Sequence, residues 1–145
     1  MAQNSSPHIT FRSNNMSKDN PFSRFWKKKA DHLWSQAVKQ SGRCAYCGSM
    51  VNLQAHHLIP RTNSLTRHKI ECGLCLSEHH HLYCSTISPH LVPEEFEKWL
   101  KKSLPRKYRW MRRQKSLRTP CKIDYERAFL KFSGYKVHMY SGPQD

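Results

Sequence analysis

Residues 52–61 read NLQAHHLIPR: two adjacent histidines inside a short apolar run that closes on Pro60 and Arg61. If the run is a strand, alternation sends His56 and His57 to opposite faces, so a single packing role hardly explains both. Between Asp31 and Glu71 the sequence holds no carboxylate. Any hydrolytic metal bound by this stretch must therefore be held by imidazole. One histidine can then hold a cation on one side of the strand while its neighbour, turned the other way, acts as a general base on water. Taken alone, the pair fits buried polar packing or a pair of zinc ligands at least as well.

The neighbouring sequence is rich in the same chemistry. Residues 43–84 hold five of the six cysteines and six of the ten histidines. Cys44-x-x-Cys47 followed by Gly48 is a tight turn that can aim two thiolates at one tetrahedral metal. A redox pair would need a thioredoxin-like βαβ setting, which the pattern lacks, whereas ECGLCLSEHHHLYC (71–84) offers Cys72, Cys75, His79, His80, His81 and Cys84 as a second half-site. Structural zinc is expected here, with the choice among these ligands open. An intracellular chain uses such cysteines for metal or as buried thiols rather than as a disulfide framework.

Composition bounds the rest. The chain has 145 residues, is 37% hydrophobic and carries a formal charge of +15, with 25 Lys and Arg against 10 Asp and Glu. That length supports one modest core. Such basicity points to a polyphosphate partner, nucleic acid rather than a membrane surface, because no basic amphipathic anchor or apolar run of spanning length is present. The first twenty residues lack the apolar centre of a signal peptide, so an intracellular, cytoplasmic location is expected.

Along the chain, 1–20 is a Ser/Asn-rich flexible arm, 21–115 a domain with leading and trailing helices, and 116–145 a basic C-terminal helix and tail. Phe22, Phe25, Ala30, Leu33 and Ala37 recur at helical spacing, with Asn20-Pro21 as a start and Gly42 as a stop. A second helix is predicted from Pro93 through EEFEKWLKKS, and a last one over 122–132 before Gly134. Arg106, Lys107, Arg109, Arg112 and Arg113, interrupted by Tyr108 and Trp110, form a run suited to phosphate forks and base stacking.

In this order and spacing, CAYCG, LQAHHLIPR, TRHKIECGLCLSEHHH and PEEFEKWL resemble an HNH endonuclease, nearest the branch found among phage recombination and homing-type nucleases, over roughly residues 28–115. The resemblance implies an α+β chain with a ββα-metal core and a zinc knuckle, flanked by an N-terminal helix and basic C-terminal helices. It implies His56 and His81 as ligands of the catalytic cation, His57 as general base, and Arg61 and Arg67 as nucleic-acid contacts. His81 lies nine residues after Cys72, matching the family spacing from its middle asparagine to its last histidine.

The implied reaction is hydrolysis of phosphodiesters in double-stranded DNA, leaving 5′-phosphate and 3′-hydroxyl ends. Two imidazoles favour Mn²⁺, Ni²⁺, Co²⁺ or Zn²⁺ over Mg²⁺ as the catalytic divalent cation, although waters and phosphate oxygens also let Mg²⁺ serve. A phage-encoded protein would act in the host cell. Two positions depart from the pattern. Cys72 stands where the family has asparagine, which keeps in view an alternative reading as a catalytically weak or silent zinc-containing nucleic-acid-binding accessory protein. The second knuckle reads Ser77-Glu78-His79-His80, and Ser77 is a poor zinc ligand. The expected zinc set is therefore Cys44, Cys47, His80 and Cys75, with Cys72 next in line.

Overall fold

The computed structural model describes residues 18–117 and 123–139. Most of the expected N-terminal arm, and the ends of the basic tail including Arg118 and Lys122, lie outside the described residues. The described chain is a mixed α+β structure in which helices cover both faces of a two-stranded antiparallel sheet.

Helix α1 spans Arg24–Val38 and passes through a 3-10 turn, Lys39–Ser41, to Gly42, whose φ of +66° is the left-handed stop that glycine adopts without strain. Its buried stripe is Ala30, Trp34 and Val38, one residue further on than the expected Leu33 and Ala37, which line the stripe's border half-buried. The bulk of the Trp34 indole sets that rotation, since it is the largest apolar group on the helix that reaches the sheet.

Strand β1 is Leu53–His57 and β2 is Gly73–Ser77, paired Leu53 with Ser77 through His57 with Gly73. Alternation divides the sheet into two faces. Leu53, Ala55 and Cys75 pack with Trp34, Val38 and Phe132. Leu74 and Leu76 pack with Leu58, Ile59, Phe96, Leu100 and Met111. Gly73 marks the closest approach of α1, because a Cβ there would collide with Val38 Cγ2.

After β2 comes a single π-type turn, His79–Tyr83, closed by Cys84 N–H donating to the His79 carbonyl at 2.8 Å. The resemblance implies a longer helix carrying His81 at this point. The following STISP sequence, with a β-branched pair and Pro89, does not sustain one. Helix α2 covers Pro93–Ser103 with proline in its first turn, Glu94 and Glu95 at its positive end, and Lys101 and Lys102 at its negative end. It buries Phe96 and Leu100. Helix α3, Pro105–Lys115, follows after Leu104 and buries Met111. Helix α4 runs Tyr125–Met139 along α1 and buries Phe132. It continues through Gly134, where the sequence suggests a stop; one interior glycine costs a helix only about 1 kcal/mol. Among the described residues no helix is long and apolar enough to cross a membrane.

Candidate active site and metal centres

His56 and His57 leave β1 in different directions. His56 shares its face with Gln54 and meets the π-turn: its Nδ1 is 3.1 Å from His81 Nε2. His90 Nε2 lies 3.0 Å from the same His81 nitrogen, so three imidazoles converge. The nitrogens of a tetrahedral centre with bonds of 2.0–2.1 Å stand about 3.4 Å apart, which these separations approach. His81 Nδ1 is 2.7 Å from Gln54 Oε1. A carbonyl oxygen only accepts, so Nδ1 carries the proton and Nε2 turns its lone pair into the cluster, the arrangement that orients metal-ligating histidines. Burial, reinforced by the charges of His81, His90 and His57, pushes His56 down to about 3; burial and then His90 push His81 down to about 4. Both are neutral at pH 7, the form that binds a cation.

His90 lies beyond the ligand set that the sequence pattern offers. It sits between Pro89 and Leu91, ahead of α2, and Ser88 carries it into place. The buried Ser88 hydroxyl donates to the His81 carbonyl at 2.8 Å and accepts from the His90 and Leu91 amides at 3.2 and 3.3 Å. Its sequence signal is a Ser-Pro-His turn nine residues beyond His81, legible only once His81 has been placed.

His57 turns toward α1. Its ring stacks on Trp34, with centroids 3.7 Å apart at 14°, and its Nε2 donates to the Arg67 carbonyl at 3.0 Å. That bond fixes the proton on Nε2 and leaves the lone pair on Nδ1. Burial lowers His57 to about 4, with the Arg67 and Arg61 cations pushing the same way and the Arg67 carbonyl and Asp31 opposing. His56, His57, His81 and His90 line one cleft of about 760 Å³, with Arg61 exposed at its edge.

Two expected nucleic-acid contacts are otherwise engaged. Arg67 forms a fork with Asp31 (Nε to Oδ1 2.9 Å, Nη2 to Oδ2 2.7 Å) and donates from Nη1 to the Arg61 carbonyl at 3.1 Å. Lys107 turns inward onto the Glu71 and Gly73 carbonyls, and burial lowers its pKa. Sequence alone places both outside, because it does not show which basic side chain finds an internal acceptor. Arg106, Arg109, Arg112 and Arg113 remain exposed on α3, beside a separate hollow that Tyr108 and Trp110 help to line. Of these, Arg112 stands 3.8 Å from Glu97.

The knuckle brings together Cys44, Cys47 and His80. Gly48, at φ +76°, closes the turn by donating to the Cys44 carbonyl at 2.8 Å. Cys44 Sγ is 3.9 Å from His80 Nδ1, near the roughly 3.6 Å expected for sulfur and nitrogen sharing a zinc. Burial raises the Cys44 thiol, but the amides of Cys47, Ser77 and Tyr46 and the Ser77 hydroxyl outweigh it and favour the thiolate. Ser77, not Cys75, stands at the remaining corner, its Oγ 2.9 Å from His80 Nδ1. Cys75 is two residues up β2, about 6.6 Å along the strand. It packs with Trp34, Val38 and Phe132, where burial raises its pKa. Cys72 is further still, fully buried, its thiol directed at the Ile59 carbonyl at 3.7 Å. A third group, His79, His80 and Cys84, shares His80 with the knuckle. These Cys/His groups can hold metal ions, a donor set compatible with structural zinc.

The chain matches no protein-family model, no curated protein and no solved structure.

Proposed function

We propose that the chain is a metal-dependent endonuclease of the HNH, ββα-metal type that hydrolyses DNA phosphodiester bonds. One observation carries the reading: two adjacent histidines separate into a ligand-ready imidazole facing His81 and His90, and a backbone-anchored imidazole with its Nδ1 lone pair available. The pleat alone sends the two rings to opposite faces; what supports hydrolysis is that one ring meets two further imidazoles while the other is anchored through Nε2 and keeps Nδ1 for a proton.

His57 is the general base. It is neutral at pH 7, its Nε2–H is held by the Arg67 carbonyl, and Nδ1 takes the proton from the attacking water. His56, His81 and His90 would hold the divalent cation, which when bound supplies Lewis-acid stabilisation of the charge growing on the phosphate and the leaving oxygen. Gln54 orients His81 for that task. Arg61 meets the scissile phosphate, and the exposed arginines of α3 track the backbone of double-stranded DNA. Cys44, Cys47 and His80 would hold a structural zinc that ties the turn before β1 to the end of β2.

A second reading, a weakly active or silent nucleic-acid-binding accessory protein, draws on Cys72. Its thiol is spent in the core, so no side-chain amide braces the base. The Arg67 carbonyl performs that bracing, which favours the enzyme. Incubating purified protein with supercoiled plasmid and Mn²⁺, Mg²⁺ or EDTA tests the choice. Metal-dependent nicked or linear product supports the nuclease, and intact plasmid under every condition, with retained binding, supports the accessory protein.

A further inference from the structure

The geometry points to Asp31 as a positioning residue, one that acts on His57 through Arg67 without touching the reacting atoms. The inference rests on the reading of His57 as the base.

One carboxylate on α1 engages two consecutive loop residues. Asp31 Oδ1 accepts from Arg67 Nε at 2.9 Å and lies 2.7 Å from His68 Nε2, while Oδ2 accepts from Arg67 Nη2 at 2.7 Å. The peptide between those two anchored side chains carries the Arg67 carbonyl, and that oxygen is the one 3.0 Å from His57 Nε2. One turn along α1, Trp34 repeats the pattern: its ring stacks on His57 and its Nε1 donates to the Lys69 carbonyl at 2.9 Å. Helix α1 thus grips residues 67, 68 and 69 from two side chains spaced i, i+3, and the imidazole lies between the grips. Arg67 Nη1 on the Arg61 carbonyl closes the loop on itself, so the loop moves as a unit if Asp31 lets go.

Sterics alone do not need this. Trp34 would seat the ring, but a stacked imidazole can flip, exchanging Nδ1 with Cδ2 and Nε2 with Cε1, and can carry its proton on either nitrogen. The Arg67 carbonyl settles both, since it accepts only from an Nε2–H placed 3.0 Å away. A second consequence is electrostatic: Asp31 offsets the Arg67 cation at contact distance. Asp31 lines the same cleft, where a bare carboxylate would repel phosphate; paired with Arg67, it presents little net charge.

The test uses the full chain with Asp31→Ala, Asp31→Asn and Arg67→Lys, the last keeping the cation and losing the fork. Nitrogen-15 long-range correlation spectra read the His57 tautomer independently of cleavage. The parent should show a single Nε2–H tautomer, and Asp31→Ala a mixture of both. Single-turnover plasmid cleavage at saturating Mn²⁺ should fall by about 10²-fold in Asp31→Ala, as for a reacting group misplaced by roughly an ångström. Zinc content and Mn²⁺ uptake should not change, and DNA affinity should not fall. A merely structural role would lower stability without moving the tautomer. A folded Asp31→Ala with one His57 tautomer and parental rate overturns the proposal; if that variant does not fold, Arg67→Lys decides on the same two readouts. A parent that never cleaves, yet whose His57 tautomer follows Asp31, upholds the positioning and removes the nuclease reading.

Discussion

His81 Nε2 stands 3.1 Å from His56 Nδ1 across the junction of β1 and the π-turn, with the two rings inclined at 65°. Gln54 and Ser88 hold His81 in this pose, and two neutral imidazoles so arranged could supply half of a tetrahedral coordination sphere. His90, on the far side of the same nitrogen, makes it three.

His90→Ala should therefore weaken the catalytic cation by at least about 10–100-fold in affinity, since loss of even an outer-shell partner of a metal ligand typically costs that much. Raising Mn²⁺ should recover cleavage. Isothermal titration with Mn²⁺ or Ni²⁺ checks this, and an unchanged affinity would remove His90 from the site.

At the knuckle, Ser77→Cys should tighten zinc, because a thiolate replaces a hydroxyl beside Cys44, Cys47 and His80. Competition with a chromophoric chelator measures it. If Ser77→Cys leaves zinc affinity unchanged while Cys84→Ser lowers it, the fourth bond comes from the other side of His80.

Asp31 also predicts acid behaviour. Burial raises its carboxyl, but hydrogen bonds from His68 and Arg67 and the Arg67 charge outweigh burial and hold it well below the ordinary carboxylate range. A depressed folded-state pKa contributes stability that is present above the unfolded value of about 3.9 and is lost as pH falls through the folded one. Asp31→Asn should cost on the order of 1–2 kcal/mol at pH 7 for this partly exposed pair, and the loss should shrink below about pH 4. Urea denaturation at pH 7 and pH 3 reads the difference; an equal loss at both would mean that the charge is irrelevant.

Binding should follow the exposed face of α3. Replacing Arg106, Arg109 and Arg113 together by alanine should reduce the slope of log affinity against log salt by up to about 3, roughly 0.9 per phosphate contact. Lys107→Ala should leave that slope alone and lower stability, since its ammonium serves the Glu71 and Gly73 carbonyls. Fluorescence anisotropy with a short duplex distinguishes the two variants.

Period-2 alternation is enough to separate His56 from His57, and the proline and charge pattern at 93–103 reads directly as α2. Local rules govern both. The knuckle's fourth position is different, because whether Ser77 or Cys75 faces His80 depends on which end of β2 meets the turn at 44–48, a tertiary fact that ligand chemistry alone does not supply. His90 is invisible for the same reason: its role depends on Ser88 folding the chain back onto His81. Arg67 and Lys107 look like surface cations until Asp31 and two backbone carbonyls claim them. Helix α3 reads as a basic run with Tyr108 and Trp110 as stacking aromatics, because its charges mask the single buried Met111 and the core against which those two rings pack.

The most direct measurement is the cleavage rate of His57→Ala on supercoiled plasmid with saturating Mn²⁺, alongside its zinc content and DNA affinity. Loss of a positioned base should slow cleavage by about 10²–10⁴-fold, with metal and DNA binding retained. A His57→Ala protein that cleaves as fast as its parent would contradict the assignment of the base, and with it the account of why the histidine pair divides.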